Sequence, residues 1–476
     1  SFVATWRQAM GNHKMPHIAV IGGGITGLAA AYHLVRKYEG VPPQVTLIEA
    51  CDRLGGKIRT EAFAGLDVDL GPEAFVARVP EVRELCRELG LEEELEAPAT
   101  GKTYVWTRGR LRSLPDGLVY GVPTSAGAIA RSGILSLPGA ARAGLDVLLP
   151  RQYVPPDPSV MQVIGSRFGR EVVERLVEPL LGGIHAGRAD RLSLESVAPS
   201  LAAAAKRHRS LMLGLQSVRP STEAKSSPIL LSIAGGLERL VERLHKALMG
   251  VDVRTGTHVL SITPQSDGRY HLQCEPGPPL VAEGILLTAP SWATARMLQE
   301  MAPELAAKLA SITYASVATV TLGYPASALP RPVAGSGFLV PGVDGHLLTA
   351  CTWCTNKWPH LQHSPVIIVR CSAGRYGDTR ALQLADDVLV ERLHGELVQA
   401  MGIQGQPTER LITRWERAIP QYETGHQARV VEIESALASW PGIILAGAPY
   451  HGVGIASCIQ SGAVAAARMR KHLAAP

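Results

Sequence analysis

Apolar residues in this chain come in short runs closed by glycine, proline or a charge. His17-Ile-Ala-Val-Ile21 is almost wholly apolar, too short for a helix and followed by three glycines, so it predicts a buried strand. A helical stretch follows it, and Val45-Thr-Leu-Ile48 then predicts a second buried strand ending on Glu49. Residues 81–225 read mainly as helices, with loops at Pro115-Asp-Gly and Val154-Pro-Pro-Asp-Pro, and Arg219 to Pro228 reads as a linker. Leu237, Leu240, Val241, Leu244 and Leu248 recur at helical spacing, which predicts an amphipathic helix from Leu237 to Leu248. Val251 to Leu260 and Gly284 to Pro290 read as strands.

From Ser311 to Cys371 the pattern turns β-rich, with strand signals at Val317–Leu322, Gly337–Val340, His346–Trp353 and Val366–Val369. An αβ segment leads to Arg414-Trp415. The chain closes with the strand Gly442–Gly447, the turn His451-Gly-Val-Gly-Ile455 and a helix from Cys458 to His472. No internal repeat is evident. A nucleotide-fold strand at each end predicts an α/β protein whose dinucleotide-binding, Rossmann-like domain is discontinuous, with the other domains inserted into it.

Chemistry enters at the first glycines. Gly22-x-Gly24-x-x-Gly27 sits between a predicted strand and a helix, and Glu49 follows 22 residues after the last glycine. Such glycines allow a tight turn, close approach of the backbone to a pyrophosphate and helix–strand contact without side chains. Phosphates then meet free N–H groups at the helix N-terminus, while the carboxylate accepts from a ribose. A second glycine pair, Arg53-Leu-Gly55-Gly56-Lys57, lets the backbone pass the cofactor again, which a lone nicotinamide fold does not need.

Composition narrows the classes. With 476 residues, 46% hydrophobic and 19% charged, the chain is a folded protein of two to three domains rather than a disordered one. No apolar run reaches a membrane span, since Ala126 to Pro150 is broken by Arg131, Arg142 and Asp146. Ser1 to Lys14 precede Met15, read as an added or extended start and stay outside the fold reading. The N-terminus shows no signal-peptide pattern, and seven cysteines without framework spacing suit a reducing compartment, so the expected location is cytoplasmic. Cys351-Thr-Trp-Cys354 has redox spacing but lies in an apolar strand-like stretch, which predicts two structural thiols. No zinc-type cluster appears, so no metal is expected. A net charge of +5 with scattered basic residues argues against nucleic acid and suits an anionic small substrate.

The chain resembles the flavin-dependent porphyrinogen oxidases, a branch of the amine-oxidase-like flavoproteins, over nearly its whole length from His17. The resemblance rests on Ile21-Gly-Gly-Gly-Ile-Thr-Gly, Arg53-x-Gly-Gly-Lys, Gly71-Pro-Glu, Glu178-Pro-Leu-Leu-x-Gly-Ile-x-Ala-Gly187 and His208-Arg-Ser-Leu-x-Leu-Gly214. It continues through Ala350-Cys-Thr-Trp, Lys357-Trp-Pro-His360, Arg414-Trp, Pro420-Gln-Tyr422 and Gly452-Val-Gly-Ile455. It is closest to the soluble bacterial type acting on coproporphyrinogen III. Two positions depart from the pattern: His185 replaces the usual aromatic and Arg188 the usual acid.

The resemblance implies FAD. It assigns residues 15–80, 226–292 and 430–476 to the FAD domain, 293–429 to a β-rich substrate domain and 81–225 to a helical domain. Gly22, Gly24, Ile25, Thr26 and Gly27 would line the pyrophosphate, with Glu49 and Ala50 at the ribose and Val259 at the adenine. Arg53, Gly55, Gly56, Lys57, Gly71 and Pro72 would follow the ribityl and flavin side. Trp415, Gly447, Val453, Gly454 and Ile455 would meet the isoalloxazine, with Val453 and its neighbours presenting N–H groups where charge develops on reduction. Gly183, His185, Arg59, Arg78, Arg188 and Lys357 are the expected substrate contacts, the cations serving propionates.

The implied reaction is the six-electron oxidation of a porphyrinogen in three steps, with O2 as acceptor and H2O2 as product. Aromatisation drives it, so no catalytic acid or base is assigned; His185 and His451 are the nearest candidates. Peripheral membrane contact of the helical region and transient contact with an iron-inserting chelatase are compatible with this reading. Protoporphyrinogen IX is the alternative substrate. An amine oxidase or desaturase of the same superfamily, or a non-catalytic tetrapyrrole or prenyl carrier, remain as rivals.

Overall fold

The computed structural model describes residues 15–37, 42–217, 228–330 and 332–474. The predicted start segment and most of the 219–228 linker therefore lie outside the described residues.

Five parallel strands form the first sheet, in the spatial order Asp252–Arg254, Gln44–Ile48, His17–Ile21, Gly284–Leu287 and Ile443–Leu445. His17–Ile21 is central and its last four residues are buried. That burial on both faces explains why its sequence is continuously apolar rather than alternating. The strand order reverses between His17–Ile21 and Gly284–Leu287, and a crevice beyond the carboxyl ends at such a point is the usual ligand site of an open α/β sheet.

Two helices leave this edge side by side, Ile25–Arg36 after the first strand and Ile455–Leu473 after the last. They approach closely because their facing residues are small. A Cβ on Gly462 would come within 2.4 Å of the Thr26 carbonyl oxygen and 3.1 Å of the Ala30 nitrogen. The predicted amphipathic helix is Glu238–Ala247, and its Leu240, Val241 and Leu244 join the same core. The stretch expected as one strand from Val251 to Leu260 divides instead. Asp252–Arg254 joins the parallel sheet, whereas His258–Pro264 pairs with Tyr270–Glu275 in a separate antiparallel meander.

The second large sheet has seven strands in the order Glu409–Pro420, Tyr314–Pro325, Val366–Ala373, Leu348–Trp353, Gly337–Leu339, Thr103–Thr107 and Arg110–Ser113. Its last two strands come from the stretch expected to be helical. Residues 95–123 contribute short strands, and the helical portion begins at Ala126. The missed signal was local: Thr103-Tyr-Val-Trp-Thr107 is β-branched and aromatic, and Arg108 and Gly109 both take positive φ in a two-residue hairpin turn. The helix Pro80–Glu88 also belongs elsewhere, since Val82, Leu85 and Cys86 pack into the core of the parallel-sheet domain. Cys351 lies on a strand as expected, but Cys354 opens the short helix Cys354–Lys357. Both thiols are buried, and that burial raises their pKa values, Cys354 to about 12. Inert structural thiols fit this setting.

Candidate active site

The first glycine loop is built by contacts that leave no room for side chains. Gly22 turns the chain at φ +113° and donates from its nitrogen to the Ile48 carbonyl at 2.8 Å. A Cβ on Gly27 would lie 1.9 Å from the Gly22 carbonyl oxygen, so only glycine lets the helix start against the strand. Gly24 is different. It has φ −71° and ψ 178°, conformations open to any residue, and its missing side chain would meet no protein atom within 4 Å. Nothing inside the protein requires glycine at that position, and the space beside it at the helix N-terminus is open to a ligand.

Glu49 anchors the loop. Its carboxylate accepts from the Gly23 nitrogen at 2.6 Å and from the Cys51 nitrogen at 2.8 Å. Gly55 donates from its nitrogen to the Gly23 carbonyl at 2.8 Å, which lays the second glycine pair along the first. Arg53 spends its guanidinium on its own loop, donating to the carbonyls of Leu54, Gly56 and Ile58. These bonds shape the turn, and the guanidinium also lies 3.8 Å from the Glu238 carboxylate. Gly256 and Thr257 donate from their nitrogens to the carbonyls of Cys51 and Glu49, so the chain entering Val259 runs beside Glu49 and Ala50. Lys57 is exposed, and the protein crowded around it holds its ammonium below the usual value by desolvation.

Beyond Lys57 the chain passes Gly71, whose Cβ would stand 2.1 Å from the Lys57 carbonyl oxygen and 3.5 Å from the Trp415 ring. The Trp415 indole donates toward the Leu70 carbonyl and the Thr319 hydroxyl, each at 3.3 Å, which holds its ring against Gly71-Pro72. Behind this segment lies a buried ion cluster. The Lys357 ammonium meets the Glu73 carboxylate at 2.5 Å, and Arg370 meets the other Glu73 oxygen at 3.0 Å. Arg370 also donates to the carbonyls of Asp69 and Gly71, both at 3.0 Å. Burial raises the Glu73 pKa, but the two cations outweigh it and hold the carboxyl at about 2.

The C-terminal turn comes to the same sheet edge. Gly447 and Gly452 take φ +112° and +136°, while Gly454 has φ −72° and ψ 155° with no protein atom within 4 Å of its missing side chain. Val453 lies between them, and Ile455 begins the last helix. Tyr422 and Gln421, quoted above without a role, hold the surroundings. The Tyr422 hydroxyl accepts from the Gly452 nitrogen at 2.6 Å and donates to the Ala448 carbonyl at 2.5 Å. The Gln421 amide donates to the His185 carbonyl at 2.8 Å.

The helix Glu178–His185 leaves Gly183 and Ile184 exposed in its last turn and ends at Ala186, φ +47°. His185 is buried with its Nδ1 unpartnered, and burial pushes its pKa down to about 4, so it carries no charge near neutrality. Arg188 points to Asp190 in a two-pronged pair at 3.0 and 2.8 Å on the surface. Arg59 pairs with Glu61, Arg78 is exposed, and Lys357 is consumed by Glu73. Three of the four expected propionate cations, Arg59, Arg188 and Lys357, thus already have acidic partners. His451 is more than half exposed and lies near Glu434.

These features fit FAD. Two helix N-termini open at one sheet edge, each behind a glycine that leaves room for a ligand, and a carboxylate sits at the second strand's end. The chain belongs to the flavin containing amine oxidoreductase family, whose family model matches residues 25–470; it is an oxidoreductase and FAD is its cofactor. It stands in the porphyrinogen oxidase branch. It is 38% identical to coproporphyrinogen III oxidase of Bacillus subtilis (strain 168), covering 94% of this chain and 97% of that protein. It is 31% identical to protoporphyrinogen oxidase of Bos taurus, covering 95% and 98%. A crystal structure from Exiguobacterium sp. 255-15, described as a protoporphyrinogen oxidase, superposes with TM-score 0.86 at 32% identity, covering 97% and 100%. No helix among the described residues is long and apolar enough to cross a membrane.

Proposed function

We propose that this protein oxidises coproporphyrinogen III to coproporphyrin III in haem biosynthesis, taking six electrons in three two-electron steps with O2 as acceptor. The balance is one porphyrinogen and three O2 to one porphyrin and three H2O2. The observation that carries the flavin half is the pair of open glycines, Gly24 and Gly454, before the two neighbouring helices. The substrate half rests on similarity to the Bacillus subtilis enzyme.

Bound FAD supplies a hydride acceptor that O2 can reoxidise. The Gly22–Gly27 loop would hold the pyrophosphate on the N–H groups of Ile25 and Thr26. Glu49, with Ala50 beside it, would accept from the ribose, and the segment at Val259 would border the adenine. Gly55, Gly56 and Lys57 would continue along the chain of the cofactor, with Arg53 setting their path. Gly71, Pro72 and Trp415 would pack near the ring system. Gly447, Val453, Gly454 and Ile455 would bring N–H donors to the edge where negative charge develops, stabilising the reduced state.

Gly183 and Ile184, exposed in the last turn of their helix, are proposed to face the porphyrinogen, with His185 as the buried neutral support beside them. Arg78, which is exposed, is the substrate cation we retain. Exposed Leu137, Leu148 and Tyr153, near Arg142 and Arg151 in sequence, support peripheral contact with a membrane surface. An iron-inserting chelatase would consume the product.

Anaerobic mixing with each porphyrinogen tests the reading. Coproporphyrinogen III is expected to bleach the flavin absorbance fastest. Faster bleaching by protoporphyrinogen IX would reassign the substrate, and no bleaching by either would overturn the proposal.

A further inference from the structure

Tyr422 is 3% exposed, and its ring stacks on His426 with centroids 4.1 Å apart and planes 14° apart. Its backbone is fixed as well, since the Ser193 nitrogen donates to the Tyr422 carbonyl at 2.8 Å. The hydroxyl therefore has little freedom, and it stands between two groups that an ordinary helix would join directly. In the one-turn helix Ala448–His451, the Ala448 carbonyl and the Gly452 nitrogen are separated by four residues, the spacing of an α-helical hydrogen bond. Here the Tyr422 oxygen takes the Gly452 proton at 2.6 Å and gives its own to Ala448 at 2.5 Å. A side chain inserted into the helical ladder is a recognised way of opening a helix. The helix stops, Gly452 swings to φ +136°, and the chain turns into Val453 and Gly454.

At Gly452 the exit is also glycine-specific, because a Cβ would lie 2.6 Å from the Ser457 side chain. So the path of the turn is set by one hydroxyl on one side and by the start of the last helix on the other. Gln421, the preceding residue, holds the His185 carbonyl at 2.8 Å. The segment after one strand thus holds both the C-terminal turn and the end of the helix proposed to face the substrate.

We infer that Tyr422 is a positioning residue whose hydroxyl aims the Gly452–Gly454 turn and thereby tunes the reduction potential of the bound flavin. The inference rests on the reading that this turn meets the flavin edge. N–H donors aimed at developing negative charge favour the reduced state, and misaiming them favours the oxidised one.

Tyr422→Phe keeps the stacked ring and removes only the hydroxyl. In the FAD-loaded variant the oxidised-to-reduced ratio at a fixed potential is expected to rise about tenfold, which is about 30 mV more negative for a two-electron couple. kcat is expected to fall by a similar factor with KM unchanged. A folded, FAD-loaded variant with unchanged potential and unchanged flavin spectrum overturns the inference. Should the Phe variant fail to fold, 3-fluorotyrosine placed at position 422 preserves the shape while changing the hydroxyl's acidity. A measurable change in potential supports the inference, and none overturns it. A potential that shifts although neither porphyrinogen bleaches the flavin supports the role of Tyr422 while the substrate reading fails. A potential that stays fixed while coproporphyrinogen III bleaches the flavin removes the role of Tyr422 alone.

Discussion

Gly24 and Gly454 occupy equivalent places on two neighbouring helices. Each precedes the first helical residue, each has ordinary extended backbone, with φ −71° and −72°, and neither has a protein atom where its side chain would be. The two positions are 430 residues apart in sequence, yet they end on one sheet edge.

Replacing either glycine by valine should leave the cofactor-free fold intact and weaken FAD binding. Open space and permitted φ predict a change in the apoprotein within about 0.5 kcal/mol. Crowding of the cofactor should weaken binding by about 1–3 kcal/mol, or roughly 5- to 150-fold. FAD titration beside thermal melting of the apoprotein separates the two quantities. Gly27→Val is the contrast, because its clash with the Gly22 carbonyl should destabilise the apoprotein itself.

Glu49→Ala removes the acceptor for the nitrogens of Gly23 and Cys51 as well as the proposed ribose contact. FAD affinity should fall by about 1–3 kcal/mol. Equilibrium dialysis that shows unchanged affinity would remove Glu49 from the site.

Lys357 should matter for folding rather than for substrate affinity. Lys357→Ala leaves Glu73 with Arg370 alone in a buried setting, a loss of about 3–5 kcal/mol by the usual cost of breaking such a pair. Urea unfolding reads that loss. The KM for the porphyrinogen should stay put in protein that remains folded, and a selective rise in KM would return Lys357 to the substrate.

Acidification should destabilise the protein below neutrality. Burial holds His185 and His426 at pKa values near 4, well under the ordinary 6.5. The unfolded chain therefore takes up these protons first, so stability is full above about pH 6.5 and drains as pH falls toward 4, by about 3 kcal/mol per histidine. Asp69 works the other way. Burial raises it to about 6, so the fold takes its proton first as pH falls below that value and regains part of the loss. Below about pH 4.5 Glu73, held near 2, adds a further loss. Melting temperatures across this range check the slope, and His426→Asn should remove about 3 kcal/mol of the loss between pH 6.5 and 4.

Much of the site was legible because it is local. A strand, a tight turn and a helix are dictated by neighbouring residues, so Gly22, Gly24, Gly27 and Glu49 could be read within one stretch of about thirty residues. The same holds for the turn into the last helix. The hairpin Thr103–Ser113 was equally local and was hidden only by the apolar helical pattern around it.

Lys357 could not be read this way. Arg59 and Arg188 pair with acids only two positions away, Glu61 and Asp190, whereas the partner of Lys357 depends on packing. Lys357 finds Glu73 across 284 positions in sequence. Tyr422 and Gly452 likewise meet because the chain leaving the strand Glu409–Pro420 runs against the turn before the last helix.

What the sequence alone determined is the backbone chemistry of the cofactor loop, since tight turns and close helix–strand contacts demand glycine wherever they occur. What the tertiary structure decided is which side chains remain available. Burial forces each charge to find a partner before it can serve a ligand, and that competition is settled only when distant segments pack together.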